Sequence, residues 1–151
     1  MRAYTLASLL LLGLSGCLLQ NLGAEHQLTD QVYALNDEIR WARIDLATER
    51  VAPSFRPEFL LIHREWGHDV QIADSDCTHV QISEDSESAT SLVTLSWYDQ
   101  RTMQLYTSVI EQRWIKTDSG FMLDRVTVVG GEESILAAMP EAATETDPTA
   151  S

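Results

Sequence analysis

The chain has 151 residues, with 23 Asp and Glu against 10 Lys and Arg, a formal net charge of −13 and 44% hydrophobic residues. A chain this acidic is repelled by nucleic acid and by anionic membrane surfaces, which excludes both as expected partners. The length suits one domain with a single core of useful size.

Residues 1–16 read as a signal peptide. Arg2 gives a positive start, Leu6 to Leu14 is a short apolar run, and Leu14-Ser15-Gly16-Cys17 ends it with small residues before a cysteine. The run falls short of the roughly 20 residues a spanning helix needs. The closing tetrapeptide resembles the lipobox of bacterial lipoproteins. That resemblance implies cleavage before Cys17, diacylglycerol on its sulfur and a third acyl chain, such as palmitate, on the new N-terminus. Each buried methylene is worth about 0.8 kcal/mol, so two or three chains make attachment to membrane lipid effectively permanent. By the sorting rule of such lipoproteins, Leu18 after the cysteine implies the outer membrane, with the domain facing the periplasm or the exterior. Without residues 1–16 the chain keeps 9 basic and 23 acidic side chains, a formal −14. Cys77 is then left without a partner in the chain and is expected to be a buried, small apolar residue.

Residues 17–24 read as a lipid-attached tether and residues 25–131 as the domain. A helix is expected from about Glu25 to Val51, because Leu28, Val32, Leu35, Ile39, Ala42 and Leu46 recur at spacings of four and three. Beside that stripe runs a second row, Tyr33, Asp37, Trp41 and Ile44, which either widens the buried face or lines a pocket. Ala52-Pro53 stops the helix. A shorter helix follows over 54–66, with Ser54 as its cap, Pro57 in its first turn and Gly67 as its end. Phe59, Ile62, His63 and Trp66 share one face of it.

From His68 the period becomes two: Val70 and Ile72 alternate with polar residues, 73–76 kinks the strand, and Val80 and Ile82 resume it. Three strands then follow as an antiparallel meander, 89–98, 103–117 and 121–129, rich in β-branched and aromatic residues. Asp118-Ser119-Gly120 is the strongest turn signal between them. In the middle strand Tyr106, Ile110 and Trp114 lie on one face and Met103, Leu105 and Val109 on the other. Cover on both sides, or a bulge that swaps faces, would account for that. Gly130-Gly131 closes the domain. Residues 132–151 hold five acids and no basic residue, an acidic and mostly disordered tail, with Ser134 to Met139 as a helical turn against the body.

Two helices followed by a long meander, with Ile39-Arg40-Trp41-Ala42-Arg43 before the proline and Ile110 to Leu123 carrying a tryptophan strand, an Asp/Gly turn and an aromatic-x-leucine, resemble the NTF2-like superfamily. The resemblance covers about residues 25–130, the nearest likeness being to lipoproteins built on that fold. It implies an α+β roll, the N-terminal helices packed on a curved antiparallel sheet and closing a cone. Enzymes of similar fold, such as ketosteroid isomerases and dehydratases, place Asp, Tyr or His inside the cone for proton transfer. The residues expected to line such a cavity here are Tyr33, Asp37, Trp41, His63 and Trp114. No pair of mutually oriented titratable groups emerges, so none is assigned a catalytic role. His63, Glu65, His68, Asp69, Asp74, Asp76 and His79 are dense in donor atoms, but their spacing matches no standard zinc or calcium site; no metal or cofactor is expected. The leading expectation is a non-catalytic envelope module that binds a small apolar ligand or a protein, with a homodimer through the sheet face as one form of it. A lyase or isomerase using the cone, and a structural subunit of an envelope complex, are the alternatives.

Overall fold

The structure, a computed structural model, describes residues 15–137, with side chains from Gly23 onward. The leader up to residue 14, the Cys17 side chain and the tail from residue 138 lie outside the described residues. Among the described residues no helix is long and apolar enough to cross a membrane.

Helix α1 spans Ser15–Arg40, so the backbone is already helical where the tether was expected. Its stripe of Leu28, Val32, Leu35 and Ile39 is buried. The helix departs from the expected course at Ala42, whose φ is 54°. There the Ala42 N–H donates to the Ile39 carbonyl at 2.9 Å and the Arg43 N–H to the Glu38 carbonyl at 2.8 Å, closing the last turn. Helix α2 is a separate six-residue piece, Ile44–Glu49. The break leaves Leu46 exposed and brings Ala47 and Val51 into the core in its place. Tertiary packing decides this, since Ala42 lies against Gly67, where an added Cβ would stand 2.4 Å from the Ala42 Cβ. Gly67 also has a φ of 86°, so both space and backbone require glycine there. Arg50, just past α2, grips Glu38 of α1 with two hydrogen bonds of 3.0 and 2.9 Å and locks the two pieces together.

Helix α3 covers Arg56–Ile62, shorter than expected at both ends. Pro57 does sit in its first turn, but the cap position belongs to Phe55 and no side chain caps it. Strands β1 (Val70–Ile82), β2 (Ser88–Asp99), β3 (Gln104–Thr117) and β4 (Gly120–Gly131) pair in chain order as one antiparallel sheet. The register of β1 slips between Ile72 and Asp74, where a kink was expected, and again between Cys77 and His79. The tight β3–β4 turn uses Gly120 at φ 114°. On β2 the buried residues are Ala89, Ser91, Val93, Leu95 and Trp97; on β3 they are Ser108, Ile110, Gln112 and Trp114. Strict alternation of this kind means one face is buried and the other is not.

The helices all lie on the buried face, in one core with Phe55, Phe59, Trp66, Phe121 and Leu123. A 3-10 turn, Glu133–Leu136, follows β4 and buries Ile135 there, in keeping with the expected turn against the body. The backbone of Arg50 to Ala52 pairs with the free edge of β4. Leu123 N–H donates to the Arg50 carbonyl at 2.9 Å, and Ala52 N–H to the Leu123 carbonyl at 2.8 Å. The architecture is α+β: an open four-stranded antiparallel sheet with one long and two short helices covering one side.

Candidate functional site

The five residues expected around a common cavity are not brought together. His63 and Trp114 belong to the packed interior, at 3% and 0% exposure. The His63 ring lies between Phe59 and Trp66, its centroid 4.1 and 4.3 Å from theirs. Its Nδ1–H donates to the Phe59 carbonyl at 2.7 Å. Burial is the main cause that lowers its pKa to about 4, the bond to Phe59 opposing it. The imidazole is therefore neutral and spends its proton on the backbone, a poor arrangement for proton transfer to a substrate.

Trp114 closes a buried polar chain that runs from helix to sheet. Its Nε1–H donates to Ser91 Oγ at 3.0 Å, and Ser91 donates in turn to Gln112 Oε1 at 2.9 Å. Gln112 and Asn36 bond to each other through their amides, and Asn36 also donates to the Val32 carbonyl at 2.7 Å. Side chains that bond one another in this way, rather than pointing into a void, fill the space between α1 and the sheet.

Tyr33 and Asp37 lie on the outer side of α1, and Trp41 follows them in the turn just past its end. Tyr33 and Asp37, with Asn36, Arg40, Ser75 and Cys77, line a surface hollow of about 120 Å³ between α1 and β1. Trp41, 65% exposed, stands at the end of the helix. Cys77 is half-buried in the same hollow, and burial pushes its thiol pKa up.

Of the donor-rich stretch, the fold gathers Glu65, His68 and Asp69, whose ligand atoms lie within 4.8 Å of one another. Arginines stand near both carboxylates. Arg64 Nε is 2.9 Å from Glu65 and Arg101 Nη1 is 3.8 Å from Asp69. The cluster lies in the turn between α3 and β1, with His68 Nδ1 also 2.6 Å from Asp69 Oδ1.

The remaining surface of note is the sheet's uncovered face, which the sequence marked only as apolar residues on both parities of β3. Tyr98 pairs with Leu105, Thr94 with Val109, and Ile115 with both Ser88 and Met122. Leu105 is 65% exposed. No bulge swaps faces within β3 to bury this set; its two register slips fall against β4.

No family model and no curated protein matches the sequence. Among solved structures, the chain is similar to the intermembrane space region of the chloroplast protein ARC6. The identity is 14% and the TM-score 0.48, over 69% of this chain and 95% of that chain.

Proposed function

We propose that this chain is a lipid-anchored module of the outer membrane, built as an NTF2-like roll, which holds a partner on the open face of its sheet and does no chemistry of its own. The observation that carries this reading is the uncovered sheet face, which leaves Tyr98, Leu105 and Val109 partly exposed towards one end and Ile115 and Met122 towards the other, with the charged Glu111 and Arg113 between them. Apolar side chains grouped at the end of an uncovered sheet face, as Tyr98, Leu105 and Val109 are, mark a candidate interaction surface. The filled interior supports the same reading, because Trp114, Phe59 and His63 occupy the place a substrate would need. The partner is a second copy of the chain or another envelope protein.

Two measurements test it. Cys17→Ser should abolish incorporation of labelled fatty acid, and normal acylation of that variant would remove the anchor from the proposal. Leu105→Asp combined with Val109→Asp should leave the unfolding midpoint within about 0.5 kcal/mol of wild type, as surface changes do. The same pair should abolish association, followed by sedimentation for self-assembly and by co-purification for another protein. Association that survives both substitutions would refute the sheet-face reading.

A further inference from the structure

The middle of the open sheet face carries charge, and part of that charge is unanswered within the fold. Across β2, β3 and β4, Leu92, Glu111 and Thr127 form one row, and Thr90, Arg113 and Arg125 form the next. Arg113 binds Asp124, but the exposed side chains of Glu111 and Arg125 have no hydrogen bond or ion pair among the described residues. These two acids and two arginines cancel, in a chain whose net charge is −13. Val109 lies one row beyond Glu111, and Ile115 with Met122 one row beyond Arg113.

We infer, resting on the sheet-face reading, that the occupant of this face is a second copy of the chain. The two copies lie face to face about a two-fold axis that runs across the strands between the Glu111 row and the Arg113 row. An axis there turns each row onto the other. Glu111 of one copy meets Arg113 and the free Arg125 of the other, and symmetry makes the contact twice. Val109 falls over Ile115 and Met122, so the apolar ends cover each other. Moving the axis by one row sets glutamate on glutamate or arginine on arginine, so like charges fix the register. A partner without a matching pair would leave Glu111 and Arg125 dry and unanswered. The axis crosses near the middle of β3, so the overlap is nearly complete. Four strands about 4.8 Å apart, each about 12 residues long, present a face of roughly 750 Å², close to the ~800 Å² per partner of a stable interface. Repulsion between the acidic remainders of the two copies is screened beyond about 8 Å at physiological salt.

The test is sedimentation of the full chain, which should form a dimer. Glu111→Arg and Arg125→Glu, each alone, set like charges together at both contacts and should weaken the dimer about a hundredfold. Mixed in equal amounts, the two variants become complementary at both contacts, and the mixture should return to within about tenfold of wild type. Both substitutions in one chain should recover the dimer as well. The two side chains are exposed, so thermal melts of all variants should match wild type. A monomeric wild type, a dimer indifferent to the single variants, or a mixture that stays monomeric would overturn the inference. The variant with Leu105→Asp and Val109→Asp separates this failure from that of the reading beneath it. If wild type sediments as a monomer and this variant loses a different co-purifying protein, the two-fold pairing falls and the sheet-face reading stands. If this variant dimerises like wild type, both fall.

Discussion

Asn36 and Gln112 exchange two amide hydrogen bonds across the junction of helix and sheet, 3.1 Å from Nδ2 to Oε1 and 2.9 Å from Nε2 to Oδ1. Both side chains are buried, and each bond is possible in one arrangement of α1 over β3. Truncating either residue to Ala leaves the other amide with only its remaining partner, the Val32 carbonyl for Asn36 or the Ser91 hydroxyl for Gln112, at a cost of about 1–3 kcal/mol for the polar atoms stranded. Replacing both by Leu should cost less than the two truncations combined. Urea denaturation of the singles and the double measures the coupling. Strict additivity would show that the amides bond to water instead of to each other.

Trp114 is the second case. Its ring has no exposure and its N–H is bonded to Ser91. Trp114→Ala should destabilise by about 3–5 kcal/mol, a large part of a domain's total stability. Trp114→Phe keeps most of the ring, and its cost should lie well below that of the Ala variant. An Ala variant that unfolds at the wild-type urea midpoint would contradict the buried placement.

A third prediction concerns pH. The pKa of His63 is about 4 in the folded chain against an ordinary value of 6.5. Between those values the unfolded chain binds a proton that the folded one refuses. Stability therefore falls as pH drops from about 6.5 to about 4, by up to about 1.4 kcal/mol per pH unit and about 3 kcal/mol in all. Glu132, whose pKa is lowered from 4.5, and Asp85 and Asp99, whose values are lowered from 3.8, begin to lose their contributions only as pH falls below those ordinary values. His63→Phe should flatten the decline between pH 6.5 and 4. A wild-type midpoint in urea that does not move across that window would show the imidazole to be solvated.

What could be read in advance follows periodicity, and what could not depends on contacts across the chain. The stripe from Leu28 to Ile39, the kink in β1 and the Gly120 turn were all readable, because spacing and glycine report local geometry directly. The break at Ala42 carries no local signal. No proline, glycine or asparagine stands there, and the contact with Gly67 imposes it. Of the expected row of Tyr33, Asp37, Trp41 and Ile44, Tyr33 and Asp37 share one side of α1, while Trp41 lies in the turn past its end and Ile44 begins α2, because the break at Ala42 ends the helix. His63 and Trp114 had the residue types of a cavity wall. Stacking against Phe59 and Trp66 in one case, and the bond to Ser91 in the other, turned them into filling.

The pairing of Arg50 to Ala52 with Leu123 has a consequence for how the molecule is made. The piece of chain that follows the first helices completes its hydrogen bonds only on the last strand, and Asn36 likewise waits for Gln112 on β3. Such distant contacts cost loop entropy before they return any stability, so folding should be slow for a domain of this size and should finish only after β4 is available. A chain threaded through a membrane from its N-terminus would consequently stay unfolded until nearly all of it had crossed. For a chain exported as proposed, that delay would keep it in the state that translocation requires.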